Sequence, residues 1–205
     1  MPVSQTARGQ QGRAYTQEEL ENALRDALAA LTADGTTLRE LTVNRIVAQA
    51  GVARSTFYLY FADKAAMISA LGARSLEHLY VGARSWIRLG GEATRADIAA
   101  GMRQILDAYR QDEPVMRLVA EASAYERSVH EDYVRRVDAY ARALERMIRK
   151  GIKAGRMRAV DPAPTATALA WMTEGTVRRA PARLDAVADA LADVVWQTLF
   201  AGVNP

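Results

Sequence analysis

The sequence contains no cysteine among its 205 residues and only two histidines, His78 and His130. The absence of cysteine excludes disulfides, thiolate-bound zinc, iron–sulfur clusters and thiol nucleophiles. The two histidines lack the spacing of a metal site, and the glycines match neither a phosphate loop nor a dinucleotide fingerprint. We therefore predict a protein that is not an enzyme and has no catalytic residue, metal or cofactor.

Long apolar runs are also missing. No stretch approaches the roughly 20 apolar residues that span a bilayer. The first residues are polar and lack the apolar core of a secretory signal. We expect a cytoplasmic protein without a membrane partner. The net charge of +3 only weakly suggests a polyanionic partner, because residues 1–64 contain as many acidic as basic side chains.

The residues that are abundant favour helices. Half of the chain is hydrophobic, β-branched residues are sparse, and no alternating strand pattern is present. Thr16 and Glu19 form a capping box, and Gly51 and Gly90-Gly91 mark helix ends. Apolar residues at helical spacing predict an all-α fold with helices at about 17–33, 43–50, 54–60, 64–89, 95–111, 114–125, 129–154, 162–178 and 183–200.

We divide the chain into a flexible tail (1–15), a three-helix DNA-binding headpiece (16–63) and a ligand-binding and dimerisation domain (64–205). The last domain is predicted to be a bundle of about six helices that dimerises through the last two helices. The last helix has a wide apolar stripe, which consists of Leu184, Val187, Ala188, Leu191, Val194, Val195 and Thr198.

The headpiece prediction depends on residues 42–64, TVNRIVAQAGVARSTFYLYFADK. They describe a helix, a tight turn at Gly51 and a short second helix, which is the plan of a helix-turn-helix. Phe57 and Phe61, four residues apart, can be buried together on one face. Arg54 and Tyr58 then project from the other face with neighbouring hydroxyl groups, where they suit phosphates and base edges.

The same stretch resembles the TetR family of bacterial transcriptional repressors. The resemblance is specific over about residues 16–80 and is centred on Gly51-Val52, on STFYLYF at 55–61 and on Lys64. It departs from the family pattern at Ala53, where an N-cap hydroxyl is missing, and at Val47, where the family usually has Ala. The segment LAWMTEGTVRR also resembles the ligand-domain helix of the ethionamide-resistance type of repressor.

The resemblance implies a homodimer that binds an inverted-repeat operator in double-stranded DNA and is released by a small, mostly apolar effector. It assigns DNA contacts to Asn44, Arg54, Ser55, Thr56, Tyr58, Tyr60 and Lys64.

Candidate effector-binding residues lie on inner faces of the C-terminal helices. They are Met102, Tyr109, Tyr125, Tyr133, Tyr140, Met147, Trp171, Met172 and Glu174. Met adapts to varied shapes and Tyr adds an orienting hydroxyl, although each of these residues could equally be core packing. Glu174 could face solvent or act as a buried acceptor. The alternative function is a helical ligand-binding or scaffold protein without DNA-binding activity, which would have no reason to carry Tyr58, Tyr60 and Lys64 together.

Overall fold

The computed structural model describes residues 15–179 and 184–203, and within them the chain is all-α, as predicted. The predicted tail (apart from Tyr15) and the predicted break at Pro181 lie outside the described residues. The helices are α1 (Gln17–Leu31), α2 (Val43–Ala50), α3 (Arg54–Tyr60), α4 (Lys64–Leu89), α5 (Arg95–Gln111), α6 (Glu113–Ser123), α7 (Arg127–Lys153), α8 (Pro162–Val177) and α9 (Leu184–Leu199), with a 3-10 turn at Gly90–Glu92 after α4.

Local sequence signals explain where several helices begin and end. The predicted capping box opens α1, since the Glu19 amide donates to the Thr16 hydroxyl at 3.2 Å and the Thr16 amide donates to the Glu19 carboxylate at 2.9 Å. Thr94 and Asp97 form the same arrangement at the start of α5. Gly51 ends α2 in the left-handed region, with φ 66° and ψ 26°, where glycine has no steric penalty.

The chain packs into two compact units. Among the described residues, unit 1 contains residues 15–72 together with Pro114–His130, and unit 2 contains Ala73–Glu113 and the residues from Glu131 onward. Both α4 and α7 therefore contribute residues to each unit. These limits describe packing and differ from the predicted boundary at residue 63, which concerns function and stays a prediction.

Unit 1 has a core of aliphatic and aromatic side chains from α1 to α4 and α6. Its fully buried members include Leu20, Leu24, Leu28, Ile46, Phe57, Met67, Ile68, Leu71, Val115 and Leu118. A Cβ added at Gly72 would lie 2.6 Å from a methyl of Val119, so glycine permits α4 and α6 to approach closely.

Unit 2 is built around the contact between α5 and α9. The face of α9 against this core consists of Ala188, Leu191, Ala192, Val195 and Leu199, all of them buried. Asp189 and Asp193 flank the contact, where they pair with Arg103 at 2.9 Å and with Arg95 at 2.5 Å.

Our prediction for the apolar stripe of the last helix is wrong for the residues at its centre. We predicted that Leu191 and Val195 face a second subunit, but they are only 4% and 1% exposed within one chain. The stripe is wide because it already serves the protomer core through α5. The part of it left on the surface is smaller and includes Val194, which is 44% exposed.

Candidate nucleic-acid interface and effector site

The helix-turn-helix in unit 1 is held by short-range contacts. The Arg45 amide donates to the Thr42 hydroxyl, which caps α2, and the Val52 amide donates to the Val47 carbonyl across the turn at 2.9 Å. Ala53 begins α3 without a side-chain cap, as its missing hydroxyl predicts. Buried Val47 and Val52 secure the turn from inside.

One face of α3 is anchored in the core and the other is presented to solvent. Phe57 is completely buried and its ring centroid lies 5.5 Å from that of Phe61. The opposite face carries Arg54, Ser55, Tyr58, Leu59 and Tyr60, which are exposed, together with half-buried Thr56. The division between buried and exposed positions is the one that the sequence predicts for a recognition helix.

Arg54 is oriented by two neighbours. Its guanidinium donates to the side-chain carbonyl of Asn44 on α2 at 3.0 Å and lies 5.4 Å from the centre of the Tyr58 ring. The structure therefore brings three of the predicted DNA-contact residues together across both helices of the motif. The remaining guanidinium donors are exposed and can reach a base edge or a phosphate.

Tyr60 has a partner that the sequence analysis missed. Its hydroxyl donates to the backbone carbonyl of Tyr15 at 2.7 Å, and the Tyr15 hydroxyl donates to the carbonyl of Gly51 at 3.3 Å. In this structure the single hydroxyl proton of Tyr60 is therefore used within the protein. Donation to a phosphate would require the Tyr15 contact to break.

Lys64 is also engaged within the protein. Its ammonium donates to the carbonyls of Leu38 at 2.5 Å and Leu41 at 2.7 Å, and partial burial lowers the pKa of this ammonium despite the nearby Glu121 and Glu126 carboxylates. A lysine has three N–H donors, so one is left for a phosphate. We assigned Lys64 to DNA only, whereas its geometry gives it a structural part as well.

A carboxylate complements Lys64 on the same loop. Glu121 on α6 accepts from the amides of Leu38 at 2.9 Å and Arg39 at 3.3 Å. Arg117, also on α6, donates to the Thr32 carbonyl at 3.1 Å. The loop between α1 and α2 is thus fixed by charged groups from α4 and α6.

In unit 2, polar aromatic side chains gather around Glu174. The hydroxyl of Tyr133 on α7 donates to the Glu174 carboxylate on α8, and Arg178 lies 3.4 Å from the same carboxylate. Glu174 is only partly exposed. Glu174 therefore accepts from a neighbouring helix and does not simply face solvent, and its role in orienting a ligand stays a prediction.

A second pair of tyrosines adjoins this group. Tyr80 on α4 stacks on Tyr140 on α7, with ring centroids 4.7 Å apart and planes 13° apart. Burial raises the pKa of the Tyr80, Tyr133 and Tyr140 phenols, and it raises the pKa of Tyr109 to about 12. We call these residues and Glu174 the tyrosine cluster: Tyr80, Tyr109, Tyr133, Tyr140 and Glu174.

The other predicted effector-binding residues lie apart from the tyrosine cluster or are not linked to it by a described contact. Tyr125 belongs to unit 1, where the Arg39 guanidinium lies 4.5 Å from the centre of its ring. Trp171 donates to Asp138 at 3.3 Å. Met102 is buried on α5, Met147 is buried on α7 and Met172 is half-buried on α8. Helical spacing identifies an inner face but not which inner faces meet.

The residues missed by sequence reasoning include Tyr80, Arg178, Leu59 and Tyr15. Arg178 follows Glu174 by four residues, a spacing that could have indicated the pair. Leu59 is 81% exposed and stands between Tyr58 and Tyr60 in the middle of the exposed face. No local signal indicates the contact of Tyr15 with Tyr60, since the two are 45 positions apart.

Two further observations concern the part of the chain that the structure describes. No described helix combines the length and apolar character needed to cross a membrane. Within residues 15–179 and 184–203, no group of three or more His, Asp or Glu side chains is arranged to hold a metal ion.

Solved structures share this fold at low sequence identity. The TetR-family regulator PfmR from Thermus thermophilus is 18% identical, covers 86% of this chain and 97% of its own, and has a TM-score of 0.65. The fatty acid degradation regulator FadR from Bacillus halodurans is 16% identical, covers 89% and 96%, and has a TM-score of 0.70. The repressor AlkX from Dietzia sp. strain DQ12-45-1b is 17% identical, covers 90% and 95%, and has a TM-score of 0.55.

Family models give the more specific result. The model for bacterial regulatory proteins of the tetR family matches residues 33–71, and the model for the tetracyclin repressor-like C-terminal domain matches residues 91–203. No curated protein sequence matches the chain. None of these findings identifies the ethionamide-resistance type, which stays a prediction. The second match alone covers more than half of the sequence, and the chain belongs to the TetR family of bacterial transcriptional regulators.

Proposed function

We propose that this protein is a cytoplasmic repressor that binds an inverted-repeat operator as a homodimer and releases it when a small, mostly apolar effector binds in unit 2. The observation that carries the DNA-binding part is the exposed face of α3. It presents a guanidinium, hydroxyls and an aromatic ring above the buried anchors Phe57 and Phe61. These groups suit phosphates and base edges in a major groove.

We assign recognition of the operator sequence mainly to Arg54. Asn44 and the Tyr58 ring hold its side chain, so little side-chain freedom is left to lose when DNA binds. A bidentate contact of an arginine with guanine contributes about 1–3 kcal/mol of discrimination. Ser55 and Thr56, near the start of the same helix, are suited to the adjacent backbone or bases.

Fluorescence anisotropy with operator and random duplexes tests this role. Arg54→Ala should weaken operator binding by about 1–3 kcal/mol and weaken random DNA less. Arg149→Ala is the matched control, because Arg149 is an exposed arginine on α7 whose ion pair, to Glu145 four residues away, lies within that helix. Equal losses on operator and random DNA would mean that Arg54 contacts phosphates alone.

The effector part rests on the tyrosine cluster. Its phenols are protonated at neutral pH, and the Glu174 carboxylate, which already accepts from Tyr133, has further acceptor capacity for a guest. Stacked Tyr80 and Tyr140 supply apolar ring surface. A guest with a flat apolar body and one polar group would suit these residues.

Coupling between effector and operator is reciprocal by thermodynamic necessity. Each ligand should weaken binding of the other by the same factor, typically about 5–150-fold. Glu174→Gln keeps the size of the side chain but removes its charge, and it should alter effector response while operator affinity without effector stays close to that of the parent protein. A screen that finds ligands of the tyrosine cluster that never change operator affinity would contradict the proposed release.

The alternative is a helical ligand-binding or scaffold protein that does not bind DNA. Tyr60 and Lys64 favour it to a degree, because both have partners within the protein. A mobility shift with fragments from upstream of the protein's own gene separates the two functions. Binding that is lost in Arg54→Ala supports the repressor, and no shift at low salt supports the alternative.

A further inference from the structure

A concave site lies in unit 2 at the C-terminal ends of α4 and α7. It encloses about 450 Å³ and shares no residue with the tyrosine cluster. Small-molecule sites in proteins typically enclose about 300–1,000 Å³, so this site can admit a ligand of modest size.

The rim of this site is strongly cationic. Arg88 comes from α4, Arg146 and Lys150 come from α7, and Arg156 follows α7. Glu92 is the one acid among the lining residues, and it lies 3.4 Å from Arg156. Within the described residues, Arg88, Arg146 and Lys150 have no salt-bridge partner. The rim therefore carries an excess of positive charge that the surrounding chain leaves unbalanced.

Helix dipoles explain only part of this charge. Cations are stabilised in the last turn of a helix, which accounts for Arg88 on α4 and Lys150 on α7. Arg146 lies before the last turn of α7, and Arg156 lies beyond its end. The helix dipole therefore does not explain why the guanidiniums of Arg146 and Arg156 lie on this rim.

The base of the site is lined by apolar side chains. Ile87, Ala143 and Met147 line it beneath the cations, and Met147 is buried. At Gly151, which also lines the site, an added Cβ would clash with the sulfur of Met157, so a larger residue there would make this side chain shift. A site with an apolar base and a cationic rim is complementary to a molecule that is anionic at one end.

We infer that this basic groove binds an amphiphilic anion, an alkyl carboxylate or alkyl phosphate whose charged group lies among Arg88, Arg146, Lys150 and Arg156. The guanidiniums match the geometry of carboxylate and phosphate oxygens, and the short apolar part lies against Met147 and its neighbours. The inference does not depend on DNA binding.

Isothermal titration of the full chain without DNA tests it, with octanoate, octyl phosphate, octanol and inorganic phosphate as probes. At least one of the two alkyl anions should bind, and octanol and inorganic phosphate should each bind about tenfold more weakly, because each lacks one half of the complementarity. Comparison of octanoate with octyl phosphate then distinguishes a carboxylate ligand from a phosphate ligand.

Matched variants on α7 locate the binding. Arg146→Gln with Lys150→Gln should lower the affinity about tenfold or more. The control, Arg149→Gln with Lys153→Gln, removes the same charge at the same spacing from the same helix, outside the groove, and should have little effect. Arg156→Gln is a second rim variant outside α7, should the first fail to fold.

Three results would overturn the inference. The first is absence of binding by both alkyl anions at millimolar concentration. The second is octanol or inorganic phosphate binding as tightly as the alkyl anions. The third concerns the variants. Equal loss of affinity in the rim and control variants would mean that only the net charge matters, and no loss in either would mean that the ligand binds elsewhere.

Discussion

Two large apolar residues of α3, Phe57 and Leu59, lie in opposite environments. Phe57 is fully buried, whereas Leu59, two positions later, is 81% exposed. The helical turn sends one side chain into the core of unit 1 and the other to solvent. A large apolar side chain on the surface contributes little to folding, so substitution of Leu59 can test for a contact outside the protein with little effect on stability.

Substitution of these two residues should separate stability from recognition. Phe57→Ala should lower the free energy of unfolding by about 3–5 kcal/mol, because it leaves a cavity in the core. Leu59→Ala should change it by less than about 0.5 kcal/mol, while weakening operator binding through loss of an apolar contact with bases such as the thymine methyl. Thermal unfolding and fluorescence anisotropy provide the two measurements, and a Leu59→Ala variant with unchanged DNA affinity would remove Leu59 from the interface.

Lys64 should affect stability as well as DNA binding. Lys64→Met removes the ammonium from the carbonyls of Leu38 and Leu41, and we expect a loss of about 1 kcal/mol in the free energy of unfolding because water can partly replace it. Lys64→Arg, which retains the charge, is the control for DNA affinity. If Lys64→Met weakens DNA binding and leaves the thermal midpoint unchanged, Lys64 is a phosphate contact only.

The helix α8 spans 16 residues, from Pro162 to Val177, and Glu174 is its single charged residue. Its carboxylate accepts from Tyr133 and pairs with Arg178. A carboxylate that is largely removed from water is costly unless hydrogen bonds or an ion pair satisfy it. This requirement links α8 to α7 through the Tyr133 hydroxyl.

The buried tyrosines should make unit 2 sensitive to high pH. The pKa of each phenol in the tyrosine cluster is raised above the unfolded value of about 10. Their stabilisation is therefore complete below about pH 10 and is lost as pH rises through the folded-state pKa, which is about 12 for Tyr109.

The thermal midpoint should accordingly fall between about pH 10 and 12. Tyr133→Phe cannot ionise at this position, so its midpoint should fall less steeply than that of the parent protein, although it starts lower because the hydrogen bond to Glu174 is lost. Ultraviolet absorbance of phenolate, compared between the two proteins, follows the ionisation of Tyr133. Parallel curves for the two proteins would contradict burial of Tyr133 as the cause.

For the whole molecule, the surface left on α8 and α9 is the basis of the predicted dimer. The exposed uncharged positions of α9 are Ala186, Ala190, Val194 and Gln197, whereas its charged residues, Asp185, Asp189 and Asp193, form salt bridges to α5. On α8, Ala163, Thr167 and Ala168 are exposed. A surface of small apolar residues on two helices suits a second copy of the same helices.

Two substitutions on α9 should give different outcomes. Val194→Glu places an unpaired charge on the proposed contact surface, so we expect a folded monomer by light scattering and an unchanged helical circular dichroism spectrum. Leu191→Glu places the charge in the protomer core and should unfold unit 2 instead. A parent protein that has one subunit's mass at micromolar concentration would contradict the dimer itself.

Residues close together in the chain were enough to specify the helices, the turn of the DNA-binding motif and the division of α3 into two faces. The pairs and positions responsible are Thr16 with Glu19, Gly51 with its left-handed φ, and Phe57 with Phe61. Local backbone geometry and a periodicity of 3.6 residues predict all of these features from the amino-acid order alone.

Tertiary packing determined which helix faces contact each other. It turned Leu191 and Val195 toward α5, separated Tyr125 from Tyr133, and gave Tyr60 and Lys64 partners within unit 1. It also gathered the cations of the basic groove from α4, α7 and the segment after α7. A helical pattern states that a face is apolar, whereas its partner is set by how distant helices pack, and that information is not local in the chain.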